Sequence, residues 1–155
     1  MTVLNHQIKN SFIMNQIPHD FIYTYLLSGR VFATFHNTLT NNQLSISIRK
    51  KSVGIWFVRH QKDYLGYIRG DMFIKNQPND DRVISEPVKL ITSQFNWVWK
   101  QIVAKTLPLT MDVMHDGTCG YCGRKLTDAI SIKLGIGPTC MKKLNISSQT
   151  KLELQ

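Results

Sequence analysis

From Val31 to Ile68 short apolar runs alternate with turn-prone residues: VFATFH, LSISI, VGIWFV and YLGYI are β-branched or aromatic segments with partial period-two alternation. In LSISI, Leu44, Ile46 and Ile48 share one side of a strand while Ser45 and Ser47 share the other, as in a sheet with one buried and one wet face. Asn41-Asn42, Lys51-Ser52 and Gln61-Lys62-Asp63 supply turns, so the runs predict an antiparallel meander over about residues 31–73. The period then changes. Ile91, Phe95, Val98, Trp99, Ile102 and Val103 form one helical stripe, which predicts a helix over about residues 92–105, capped by Thr92 or Ser93 and packed across the sheet. Trp97 lies off that stripe and is expected either to reach the C-terminal module or to sit partly exposed. Asn76–Asp81 (NQPNDD) reads as an exposed loop, Pro87 precedes the helix, Pro108 ends it, and Thr110–Met114 is a candidate strand. His19–Leu27 is apolar enough for a short helix or a strand.

The pattern predicts an α+β protein: an antiparallel β-meander with a packed helix, over residues 1–110, and a C-terminal treble-clef-like or knuckle zinc module over residues 111–155. A chain of 155 residues fits one domain with a small appended module. No run approaches the roughly 20 apolar residues that span a bilayer, and the N-terminus lacks the order of a secretion signal. The protein is expected in the cytoplasm, with no membrane partner.

The module is expected because all three cysteines cluster in the last third. His115, Cys119, Cys122 and Cys140 give the intervals H-x3-C, C-x2-C and C-x17-C, a spacing that suits one tetrahedral ion. Soft thiolates with one imidazole favour zinc, and a structural zinc site fills its four positions with protein ligands. Gly120 and Gly123 bracket the turn between the first two sulfurs, and Gly135-Ile136-Gly137-Pro138 brings Cys140 in near the start of a short helix, whose N-terminus favours a thiolate. Lys125–Thr127 reads as a short strand. An odd cysteine count speaks against a complete disulfide framework and for a reducing compartment.

CGYCGRKLTD, then Ser131, then GIGPTC closely resemble a small, functionally uncharacterised zinc-binding domain of bacteriophage and plasmid proteins, whose hallmark is CxxCGRxLTD followed by S and GIGPxC. The resemblance covers about residues 113 to 142. In that family a histidine commonly lies four residues before the first cysteine, as His115 does here. It implies a Cys3His zinc ligand set in a mobile-element protein, acting in the host cytoplasm, and it brings no known reaction.

Charge narrows the partner. The net charge is +9 and is unevenly spread: residues 49–69 hold six Lys/Arg against one Asp, and residues 115–155 hold six against three acids. Arg49, Lys50, Lys51, Arg59 and Lys62 form one group, and Arg124, Lys125, Lys142 and Lys143 another. Clustered positive charge attracts a polyanion, and nucleic acid, DNA or RNA, is the commonest in a cell. Trp56, Phe57, Tyr64 and Tyr67 are interleaved with the first group, a combination that suits single strands, although Trp56 and Phe57 must point to opposite sides of a strand. Tyr121 sits between two sulfurs on a knuckle, beside Arg124 and Lys125, where it suits a base or a protein partner.

Catalytic signatures do not fit. The zinc deaminase pattern needs H-x-E and P-C-x-x-C, yet Met141-Lys142-Lys143 follow Cys140 and no Glu lies near His115. A zinc-knuckle nuclease wants more than His115-Asp116, and a zinc-bound His115 is no free base. There is no GxxxxGK[ST] loop, GxGxxG or GxSxG elbow. Carboxylate pairs are scarce, and His6, His19, His36 and His60 are scattered. The expectation is a non-catalytic accessory protein that binds nucleic acid. The alternative is a protein-interaction factor that inhibits a host defence or nucleic-acid enzyme, with a zinc-knuckle nuclease a distant third.

Overall fold

The computed structural model describes residues 15–78 and 83–146. The loop expected over Asn76–Asp81 is described as far as Pro78, and His6 lies outside the described residues. The expected meander is present as five strands: β1 (Arg30–Asn37), β2 (Gln43–Ser52), β3 (Ile55–His60), β4 (Asp63–Arg69) and β5 (Met72–Lys75). A sixth strand, β6 (Met111–His115), extends the sheet, whose order is β5-β4-β3-β2-β1-β6 with every pair antiparallel. Hairpins join the first five strands. β6 sits at the opposite edge from β5, so the chain must cross the whole sheet between them.

That crossing is made by α2 (Glu86–Ala104); the N-terminal helix α1 (Ile22–Leu26) is preceded by a 3-10 turn, His19–Phe21. The observed α2 starts six residues before the expected Thr92. Ser85 is its N-cap, its side-chain oxygen accepting from the Val88 N–H, and Pro87 lies inside the first turn, where the missing N–H would have had no intrahelical partner. Thr92 is therefore not the cap; its hydroxyl donates to the Val88 carbonyl at 2.7 Å. Lys105, at φ 59°, closes the helix in the left-handed conformation.

The stripe meets the sheet as the pattern predicts. Phe95, Val98, Trp99 and Ile102 are buried together with Phe35, Ile46, Ile48, Val58, Leu65 and Ile68. Phe95 packs edge-on against Phe73 at 4.9 Å between ring centres and stacks on Trp99, whose indole N–H donates to the Asp71 carbonyl at 2.9 Å. Burial of rings of this size contributes on the order of 1.5 to 3 kcal/mol each before ordering entropy is subtracted. Trp97, off the stripe, remains 47% exposed. No helix among the described residues is long and apolar enough to cross a membrane.

The boundary expected at residues 110 and 111 does not separate two cores. β6 belongs to the sheet, and Cys119, Leu126, Leu134, Ile136, Cys140 and Met141 lie in the same apolar cluster as the strands and α2. The C-terminal segment contributes α3 (Ala129–Leu134) and α4 (Pro138–Lys143); the strand expected at Lys125–Thr127 is reduced to a bridge between Thr118 and Lys125. Tyr25 of α1 is the pivot of this docking. A side chain at Gly120 or Gly135 would collide with its ring, at 2.8 and 2.7 Å, and Gly135 ends α3 at φ 74°.

Candidate functional site

The knuckle folds around backbone bonds that its sequence makes available. Gly123 donates its N–H to the Cys119 carbonyl, and Cys119 donates to the Arg124 carbonyl at 2.7 Å. Asp128 caps α3 by accepting from the Ser131 N–H, and Pro138 starts α4, so Cys140 is delivered in that helix's first turn. These turns bring Cys119, Cys122 and Cys140 together, with their sulfurs all within 4.8 Å of one another. Thiolates on a tetrahedral ion at about 2.3 Å stand roughly 3.8 Å apart, so a small contraction would satisfy it. The three cysteines are free and can hold a metal ion.

Electrostatics around the sulfurs suit that role. Burial raises the Cys119 thiol, but N–H groups of Gly137, Cys122 and Tyr121 aimed at its sulfur outweigh this and hold it below the usual thiol value. The Gly137 and Tyr121 contacts are 3.3 and 3.4 Å. Burial, together with hydrogen bonds to Cys122 and Cys119, pushes the Cys140 thiol up to about 12, so an incoming cation must displace its proton. A cavity of about 300 Å³ beside the sulfurs is also lined by Arg124, Lys125 and Lys143.

His115 is not with them. It is buried on β6, where its Nδ1 accepts the Gly117 N–H at 2.9 Å and its Nε2 faces the Ile132 carbonyl. Both ring nitrogens are thus occupied by backbone, which fixes the neutral Nε2–H form. Burial lowers its pKa despite the Ile132 bond. The expected fourth ligand is instead a brace that ties β6 to α3. Among the described residues no other His, Cys, Asp or Glu joins the three sulfurs.

The expected basic residues separate onto different surfaces. The side of the sheet away from α2, the outer face, carries two neighbouring rows set by the strand register. One runs Arg30, Arg49, Phe57, Tyr67, and the next runs Phe32, Ser47, Arg59, Tyr64. Two bulges shape them. An extra residue, Leu65, lets Tyr64 and Tyr67 share a face although they are three apart, and the shift between Lys50 and Ser52 frees Lys51 to lie over the Phe57 ring at 5.8 Å. Arg59 lies over Tyr64 at 5.4 Å. Lys50, by contrast, is opposite Trp56 on the helix-bearing face, 5.8 Å from its ring, so it does not act with Arg49 and Lys51. Trp56 points inward and donates to the Leu27 carbonyl.

Lys62 is exposed in the β3–β4 turn, and Lys142 is exposed on α4. Tyr121 is not the exposed tip expected of a knuckle; it is half-buried against the core, with Lys143 Nζ 5.9 Å from its ring. Arg30 and Phe32 were not singled out by sequence reasoning. Their alternation with the buried Val31, Ala33 and Phe35 is the signal that marks them as outward-facing. Arg30 also links the two regions: its N–H donates to the Gly120 carbonyl, and its guanidinium lies beside Gly123 of the knuckle.

Residues 110–145 match the model of a family of unknown function, DUF6011. The matched segment spans β6, the three thiols and both short helices. Searches of the curated proteins and of the solved structures found no match.

Proposed function

We propose that this chain is a non-catalytic nucleic-acid-binding protein whose C-terminal segment is held by a zinc ion. The observation that carries this reading is the outer sheet face. Arg30, Arg49, Lys51, Arg59 and Arg69 project there, and none is ion-paired among the described residues. Five cations gathered on one side repel each other unless a polyanion covers them, and a phosphate backbone does so while releasing its counterions.

Zinc fits the donor set, since three thiolates are soft ligands and N–H groups already point at one of the sulfurs. Cys119, Cys122 and Cys140 would hold it. The ion would cross-link the knuckle to α4. His115, whose sequence spacing suggested a place at the site, has both nitrogens engaged by backbone, which supports a binding rather than a catalytic role. Free thiols call for a reducing compartment.

A second reading, docking on a host protein, is favoured by Trp97. It lines a groove of about 390 Å³ with Phe35, Leu44, Val98 and Met111, and exposed tryptophans are common anchors in protein interfaces. Fluorescence anisotropy of the zinc-loaded protein with labelled DNA and RNA over a salt series separates the two. Sub-micromolar binding that weakens steeply with salt supports the first reading. No binding at low salt removes it and leaves the groove as the working surface.

A further inference from the structure

The outer face carries more than charge. We infer that the nucleic acid it takes is single-stranded, laid across β1 to β4 with bases stacked on Phe32, Phe57 and Tyr67 and phosphates met by the flanking arginines. This rests on the nucleic-acid reading above and goes further by naming the strandedness and the contacts.

Three observations carry it. First, the face is an open sheet surface: the helix α2 and the apolar core lie on the other side, and the outer side chains Arg30, Phe32, Arg49, Phe57, Arg59 and Tyr67 are all exposed or half-buried. Among the described residues it offers no helix to enter a duplex groove, where base edges are read. Second, aromatic rings sit in the middle of this polar face rather than at its rim. Phe32 is 44% exposed between Arg30 and Thr34, and paired to Ser47, with no apolar neighbour across the strand to cover it. An unpaired base offers a planar face that would cover such a ring, whereas the bases of a duplex already stack on one another. Third, cations stand next to the rings both across and along the strands. Arg49 is directly opposite Phe57 and Arg59 opposite Tyr64, while Arg30 is two residues from Phe32 on β1 and Arg69 two residues from Tyr67 on β4, so each ring has a positive charge within reach of the phosphate that accompanies its base.

Arg30 sets where the strand leaves the sheet. It stands at the β1 end of the first row, donates its N–H to the Gly120 carbonyl of the knuckle, and holds its guanidinium on the side of Gly123, next to Arg124. The cationic path therefore continues from the sheet onto the metal-holding segment.

The test uses the full zinc-loaded chain with a labelled oligothymidylate of about 15 nucleotides and a labelled duplex of the same length. The single strand is expected to bind at least about tenfold more tightly than the duplex at equal salt. Phe32→Ala and Tyr67→Ala are each expected to weaken single-strand binding roughly 5- to 150-fold, the range of one lost stacking contact, and to leave the duplex affinity unchanged. Phe57→Leu, which keeps apolar bulk beneath Lys51, guards against a folding artefact and is expected to lower single-strand affinity with an unaltered circular dichroism spectrum. Arg49→Gln with Arg59→Gln should weaken both ligands and reduce the salt slope. Equal affinity for both ligands, or aromatic variants that bind as the parent does, overturns the single-strand inference while the nucleic-acid reading survives. Binding of neither ligand overturns both.

Discussion

The two faces of the sheet come from the same strands and the same alternation, yet they are finished in opposite ways. On the inner face rings pack on rings: Phe73 and Trp99 enclose Phe95, and Ile46, Ile48, Val58 and Ile68 lie beneath α2 with no exposure. On the outer face Phe57 and Tyr64 pack under Lys51 and Arg59, and nothing seals them. The apolar count of a strand does not tell which role its rings play. What stands opposite them does: a second apolar layer makes a core, and a row of unpaired cations makes a surface that waits for an anion with a planar face of its own.

The largest effect is expected at the thiol cluster, because Cys119 and Cys140 are part of the apolar core that the inner face builds. Cys140→Ser should reduce bound zinc from about one equivalent to near zero, measured by plasma emission spectrometry, since a structural ion contributes folding free energy directly. Because the thiols share a core with the strands, the melting temperature of the whole chain should fall with it. A variant that keeps its metal and its melting curve would remove Cys140 from the site. Next in size is the contrast between faces: Ile48→Ala should cost about 2 to 5 kcal/mol in denaturant unfolding, and Phe32→Ala no more than about 0.5 kcal/mol. Similar costs for the two would break the inner and outer assignment.

A smaller effect concerns pH. Burial holds His115 below the ordinary histidine value in the folded chain, so the unfolded chain takes up the proton first as pH falls. Its contribution to stability is complete above about pH 6.5 and is lost on acidification toward the lower folded value. His115→Asn should flatten that part of the pH dependence of the melting temperature; an unchanged profile would mean that the imidazole is not a buried neutral brace. The smallest effect separates adjacent lysines. Lys51→Ala should lower the salt slope of nucleic-acid binding by about one, whereas Lys50→Ala, on the helix-bearing face, should leave it as it was.

Much of the architecture was legible along the chain because it follows from period alone. Leu44, Ile46 and Ile48 faced inward as their alternation required, and the stripe from Ile91 to Val103 packed on them. The thiols were legible from spacing, since two knuckle positions and a helix entry leave little freedom. What stayed hidden depended on register. Strict alternation sets Tyr64 and Tyr67 on opposite faces, and only the extra residue at Leu65 joins them. Arg49, Lys50 and Lys51 read as one patch only as neighbours in sequence, since alternation turns Lys50 to the face of Ile46 and Ile48. His115 stands where a ligand would stand by spacing, but the carbonyl of Ile132, brought close by the fold of α3, takes its Nε2. Spacing fixes distance along the chain, and such a competitor arrives from elsewhere in it.

The position of β6 sets an order of events as the protein is made. β1 to β5 meet only as successive hairpins, so that part of the sheet can form from local contacts while the rest of the chain is still being synthesised. β1 nevertheless keeps one edge unpaired until residues 111–115 emerge, and the Ile17 N–H waits for the Val113 carbonyl. An open edge of that kind is prone to pair with another chain. Closing it with β6, whose own outer side is met by Gln16 and Ile17, brings the segment with the three cysteines onto Tyr25 and the core, so covering the β1 edge and assembling the thiol site are one step.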